Sequence, residues 1–293
     1  MKKLDRIILG DNQFFGINHM SSQKSQDLSE RFNDDKEIIN VIDTAIDSDI
    51  NAFMFNSNDR VATICEHFIS NQEKYSKLVC YPSIPYPHKY ANLVTEKGIL
   101  PAINHVLLSG KNINSFVNTI FKGSSALITK DLNKIMKLLI DLEMRNFLGL
   151  NTKVIFLQNI ITDLILGLGI KDLFIDYGNY IREKYNVEPG FITMNAPELV
   201  KFLDNCGINN PIICTSLNQI GYLMSPNKKL YEKILNEYDC RLMAMSIFAS
   251  GAISPEPAIK YLFDNYNIDS IVFGASSKKN IMHTKSLITK YSQ

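Results

Sequence analysis

Short β-branched runs alternate with longer amphipathic segments along almost the whole chain, and this alternation predicts a parallel sheet crossed by helices. The runs fall at 6–9, 52–55, 77–81, 153–157, 190–193, 212–216, 241–246 and 270–273. Between them lie helical patterns. In 35–46, Ile38, Ile39, Ile42, Ala45 and Ile46 recur at helical spacing behind Asn33 and Asp34 as N-caps. Further helices are read at 61–70, 171–184, 197–206, 227–238, 256–267 and 279–291.

Eight such units in 293 residues predict an α/β fold of the closed (β/α)8 type, a TIM barrel, as one domain over 1–293. An open doubly wound sheet ranks second, because 10–16 after the first run holds two glycines and no GxGxxG. The third run meets Pro82, Pro85 and Pro87, which are read as a turn that ends it. From 89 to 151 the pattern is helical without a strand, which predicts an inserted helical segment between strands three and four, suited to a lid or a subunit contact in a homo-oligomer.

Charge is balanced, 31 Lys+Arg against 30 Asp+Glu, with no basic run, so nucleic acid is not an expected partner. Cys65, Cys80, Cys206, Cys214 and Cys240 are scattered without CxxC spacing and read as small core residues in a reducing compartment. The apolar stretch 160–170 is broken by Asp163 and is too short to span a bilayer, and no long apolar leader follows Lys2 and Lys3. A cytoplasmic protein with no membrane partner is the expectation.

In barrels the strand C-termini carry the ligand site, which directs attention to the polar residues that end each run. Asp11 and Asn12 follow run one as a base and a substrate anchor. Asn56, Asp59 and Arg60 make a dense polar corner after run two, where an arginine can reach a carboxylate or phosphate. Gln158 and Asn159 end run four as neutral amides able to hold hydroxyls, and Asn195 after run five and Thr215 in run six join the substrate-binding set. His19, Tyr81 and Tyr86 are the candidate proton carriers, with His19 and Tyr81 placed beside Asp11 in the catalytic set. No HxH, HExxH or GxSxG occurs, so neither a metal site nor a hydrolase triad is expected.

Five segments resemble the aldo-keto reductase family. Phe191-Ile-Thr-Met-Asn195-Ala-Pro-Glu-Leu199 is similar to its fifth-strand segment, Ser246-Ile-Phe-Ala-Ser-Gly251 to its seventh-strand loop, Pro255-Glu-Pro-Ala258 to the start of the next helix, Phe273-Gly-Ala-Ser-Ser277 to its phosphate-facing loop after strand eight, and 42–53 to its first helix entering strand two. The resemblance implies that Asn195, Ser246, Gly274, Ser276, Ser277 and Lys278 lie where that family contacts its cofactor. It also implies a catalytic tetrad, and this chain lacks it: Met54 stands for the aspartate, 56–60 holds no tyrosine, 79–83 no lysine, and Gln158 stands for the histidine.

The expectation is therefore a divergent aldo-keto-reductase-like barrel enzyme with non-redox, isomerase or lyase chemistry on a small polar, phosphorylated metabolite. Its phosphate would sit on the backbone and helix start at 274–278. Two alternatives stand beside it: an NAD(P)H-dependent carbonyl reductase with a relocated proton donor, for which NADPH is the cofactor considered, and a non-catalytic ligand-binding barrel.

Overall fold

The structure is a computed structural model that describes residues 3–16, 21–87 and 125–292. Eight parallel strands close into a barrel in sequence order: β1 (Ile7–Leu9), β2 (Ala52–Asn56), β3 (Val79–Ile84), β4 (Val154–Leu157), β5 (Glu188–Thr193), β6 (Ile212–Ser216), β7 (Arg241–Met245) and β8 (Ser270–Phe273). Ten α-helices accompany them among the described residues: α1 (Ser22–Arg31), α2 (Asp35–Ile46), α3 (Val61–Ser70), α4 (Ser125–Met144), α5 (Asn159–Leu168), α6 (Lys171–Tyr185), α7 (Ala196–Asn205), α8 (Lys228–Ile234), α9 (Pro255–Asn265) and α10 (Lys278–Tyr291). None of them is long and apolar enough to cross a membrane. Part of the insertion between β3 and β4 is thus seen, as α4 and a 3-10 turn at Arg145–Phe147, while 88–124 lies outside the described residues.

The two-residue period of a strand sorts each side chain to one of two cores. Ile8, Ala52, Met54, Tyr81, Val154, Phe156, Ile192, Ile212, Cys214, Met243 and Val272 pack together inside the barrel. Their neighbours along each strand, such as Leu9, Phe53, Phe55, Ile155, Phe191 and Ile213, pack outward against the helices. Gly190 is required inside: a Cβ there would lie 2.4 Å from the Phe156 ring, so the missing side chain is what lets that ring fill the centre. Burying such a ring is worth roughly 2–3 kcal/mol. Cys65, Cys80 and Cys214 are buried and all five cysteines are free thiols.

Two local readings change. The third strand does not stop at residue 81 but continues through Pro82 to Ile84. Cys80 donates its N–H to Asn151 and Ile84 accepts from Gln158, both on the β4 side, so Pro82, midway between them, turns its ring nitrogen toward the same side. The β3–β4 register covers only Ser83–Phe156 and Ile84–Leu157, with an isolated bridge at Cys80–Thr152, and the proline sits in the gap, where no ladder donor is needed. The second change is α1, which the sequence does not announce. It buries none of its residues, so no apolar period marks it, and Ser21 starts it by accepting the Lys24 N–H at 3.2 Å.

The N-terminal end of the barrel is plugged by polar groups. Tyr81 points down the interior and its hydroxyl donates to Asp5, whose carboxylate also takes Lys153 Nζ at 2.8 Å. Arg241 and Glu188 pair beside them at 3.2 Å.

Candidate functional site

The opposite end, where the strand C-termini open, is built by continuing the same inward period one step. Gly10, Asn56, Ser83, Gln158, Met194, Ser216, Met245 and Gly274 are the next inward positions after the interior layer. Three methionines and small or amide side chains therefore form the floor, counting Met54 just below them.

Asp11 stands over this floor, directly after Gly10, and is 5% exposed. Its carboxylate receives the Asn56 backbone N–H at 2.7 Å and the Asn56 side-chain amide at 3.0 Å. Burial raises its pKa to about 7 against those donors, which pull it down. A carboxylate that exchanges its proton near neutrality, at a strand C-terminus, is suited to general acid–base work. Tyr86 is the phenol on this side: it is half-buried, and burial together with the charges of Asp11 and Asp59 keeps it protonated. Its backbone N–H donates to Glu143, which is buried and also accepts the Ser57 hydroxyl.

Among the described residues, three buried polar atoms at the C-terminal strand ends have no hydrogen-bond partner: Gln13 Oε1, Ser83 Oγ and Asn195 Oδ1. Two of them are amide acceptors and Asp11 is a third. A mouth rich in acceptors calls for a ligand rich in donors, hydroxyls above all. Gln13 is anchored by its amide N–H to Gly10 O at 2.8 Å, which leaves its oxygen facing the loop after β8, 2.6 Å from where a Cβ of Gly274 would be.

The structure brings together some of the residues singled out in the sequence and disperses others. Asp11, Asn56 and Gln158 meet at the mouth, where Gln158 Oε1 caps α5 through Ile160 N at 3.0 Å, so its NH2 is the group it can offer a ligand. Asn159 opens α5 at the rim and Asn195 opens α7. The end of β5 beside Asn195 is fixed by Asp163, which accepts from the Thr193 hydroxyl and from Met194 N.

Tyr81 is placed at the other end: its phenol is held by Asp5, burial and that hydrogen bond raise its pKa, and it lies far from the role beside Asp11 that the sequence suggested. Arg60 is turned away as well. Its guanidinium pairs with Asp35 and donates to Phe32 O at 2.6 Å, clamping the junction of α1 and α2, because the arginine lies at the start of α3 next to that junction. Thr215 faces the helices, its hydroxyl donating to Thr193 O at 2.8 Å, as its odd position in the strand period dictates. Asn12 and Asp59 are exposed at the rim, and His19 lies outside the described residues.

At the loops after β7 and β8, Ser246 holds a left-handed backbone with φ 53° and its carbonyl accepts from Asn218. Ser277 accepts Asn280 N at 3.3 Å as the N-cap of α10, Lys278 is exposed, and the Ser276 carbonyl accepts from Arg31 of α1. Lys24 of the same helix reaches the β7 loop, its amine 3.6 Å from where a Cβ of Gly251 would be. The cations beside these loops thus come in part from α1, which sequence reading did not register. Among the described residues no group of three or more His, Cys, Asp or Glu side chains converges as a metal site.

The residues that sequence reasoning missed are Gln13, Ser57, Ser83 and Glu143. Ser83 was hidden by the strand being ended too early. Glu143 did carry a signal: it is an acid within the stripe Met136, Ile140, Met144 and Phe147 that α4 and the following turn bury.

No protein-family model matches the sequence, and no curated protein matches it. Solved structures do match. A protein assigned as an aldo-keto reductase from Pseudomonas aeruginosa superposes with a TM-score of 0.59 at 11% identity, covering 99% of this chain and 92% of its own. A thermostable aldo-keto reductase in complex with the inhibitor epalrestat gives 0.55 at 10% identity over 98% and 91%. An aldo-keto reductase of the silkworm Bombyx mori gives 0.52 at 10% identity over 98% and 83%. Identities this low carry the architecture and not the chemistry. The chain folds as an aldo-keto-reductase-like (β/α)8 barrel.

Proposed function

We propose that the mouth of this barrel carries out non-redox acid–base chemistry on a small, hydroxyl-bearing polar metabolite, with Asp11 as the proton carrier. The observation that supports it is the Asp11 carboxyl itself: buried at the C-terminal end of β1, held on both oxygens by Asn56, and raised to about 7 by burial. In this reading Asp11 removes a proton from carbon next to a substrate carbonyl, and the same proton returns to the neighbouring carbon or leaves with a hydroxyl. Tyr86 donates to the oxygen on which charge develops, and the Gln158 amide supports that oxygen. Gln13, Ser83 and Asn195 accept from substrate hydroxyls. A phosphate at one end of the substrate would meet Ser276, the start of α10 and the α1 cations Lys24 and Arg31.

The nicotinamide cofactor that the fold implies is a weaker fit. Asn195 Oδ1 suits a carboxamide, and this one atom favours a reductase as the second reading. Against it, no lysine or histidine occupies the inward ring of the mouth, Tyr81 serves the other end, and the Gln13 side chain lies against the position of Gly274 where a dinucleotide would approach the loop.

The experiment is deuterium incorporation. Aldoses, ketoses and their phosphates are incubated with the protein in D2O and their C–H signals followed by NMR. Enzyme-dependent exchange that falls by about 10²-fold or more in Asp11→Asn supports the proposal. Absence of exchange together with saturable NADPH binding and carbonyl reduction would replace it with the reductase reading.

A further inference from the structure

The buried group that the proposed chemistry leaves without a role is Glu143. It is 1% exposed, sits in the last turn of α4, and belongs to the insertion rather than to any of the strand ends. Both of its oxygens face the Tyr86 N–H, at 3.2 and 2.9 Å, and one of them accepts the Ser57 hydroxyl. Ser57 is the residue after Asn56, and Asn56 supplies both donors to Asp11. Tyr86 follows β3 and is the phenol that senses the Asp11 charge.

One carboxylate from outside the barrel therefore ties two neighbouring loops, one carrying the Asn56 donors to Asp11 and the other the phenol on which the Asp11 charge acts. Burying an acid costs several kcal/mol unless its hydrogen bonds are met, so an apolar side chain would serve better at this position if packing were its only task.

We propose that Glu143 is a positioning residue of the mouth, bridging the β2 and β3 loops so that Asn56 and Tyr86 keep fixed places around Asp11. The proposal rests on Asp11 being the working carboxylate. Its consequence is that the insertion between β3 and β4 contributes to the site's precision through this side chain. A shorter connection between those strands could not supply this.

The test follows the Asp11 carboxyl by 13C NMR against pH in the full-length protein. The groups that face it are Asn56, which donates to it, and Tyr86, with the Asp59 charge acting on that same phenol. Removing the bridge in Glu143→Ala frees Ser57, loosens the Asn56 N–H from Asp11 and raises the titration midpoint by about half a pH unit or more, since that donor lowers it. Glu143→Gln, which still accepts from Tyr86 and can donate to Ser57, returns the midpoint to the wild-type value. Ser57→Ala, a milder change that keeps the helix, moves it in the same direction as Glu143→Ala.

If Glu143→Ala and Ser57→Ala destabilise the protein while the Asp11 midpoint stays put, Glu143 is a packing element and the proposal fails. It fails equally if Glu143→Gln behaves like Glu143→Ala, because charge rather than bridging would then be responsible. A wild-type midpoint near the ordinary carboxylate value sinks the base reading instead, whatever the variants do.

Discussion

Asn56 grips Asp11 twice, with its backbone N–H on one carboxylate oxygen at 2.7 Å and its side-chain amide on the other at 3.0 Å. Even so, burial prevails, and the acid keeps its proton up to about pH 7. The folded pKa lies above the unfolded one, so the folded state binds the extra proton between about pH 4 and 7. The associated stability is complete below pH 4 and is lost as the pH rises through 7, an amount on the order of 4 kcal/mol. Urea denaturation from pH 4 to 8 should show this decline in the wild type and a much shallower one in Asp11→Asn. Parallel curves for the two proteins would show that Asp11 does not titrate in that window.

Ser83 offers a different test, because its hydroxyl is buried without a partner among the described residues. Ser83→Ala removes a desolvated polar group that the fold does not satisfy and should leave stability unchanged or raise it by up to about 1 kcal/mol. The same change should weaken any hydroxyl-bearing ligand found in the deuterium-exchange screen. A stability loss above about 2 kcal/mol in denaturant melts would mean that the hydroxyl has a structural partner after all.

Tyr81 separates the two ends of the barrel. Tyr81→Phe deletes two hydrogen bonds with Asp5, one donated to its carboxylate and one accepted from its backbone N–H, while the carboxylate keeps Lys153, and should cost about 1–2 kcal/mol in chemical denaturation. The NMR midpoint of Asp11 should not move. Movement of that midpoint would place the phenol's influence at the mouth.

Gly190→Ala probes the packing of the interior. Its methyl would enter the space of the Phe156 ring at 2.4 Å, in the middle of a closed barrel where neighbours cannot retreat, and a cost of about 2–3 kcal/mol is expected. Combining it with Phe156→Leu should recover part of the loss. If the double variant is simply the sum of the two singles, the ring and the glycine are not in contact.

The barrel was legible in the chain because its signal is collective: eight apolar runs at regular spacing survive an error at any one of them. The misplacement of the β3 end illustrates this, since the strand count held while Pro82 and Ser83 were assigned to a turn. Asp11, Asn56 and Gln158 were legible for a related reason, as polar residues placed where an apolar run stops. Arg60 and Thr215 were not, because the same polarity also serves a clamp to Asp35 or a bond to Thr193, and only the strand's parity and the neighbouring helix junction separate the cases. Helix α1 escaped because it has no apolar face to betray it. Glu143 reaches Ser57 across 86 positions, and no local pattern encodes a contact of that range.

The proline within β3 has a consequence for how this barrel breathes. The joints β1–β2 and β7–β8 also rest on two residue pairs, but those pairs are adjacent, whereas the contact of β3 with β4 is interrupted, two pairs lying above an isolated bridge with Pro82 between them. A broken seam gives way at its break more readily than a continuous ladder, so amide exchange in the native state should be faster in the few residues flanking Pro82 than along the four-pair β4–β5 and β5–β6 ladders. Ser83, one residue beyond the proline, would then belong both to the mouth and to the flank of that break.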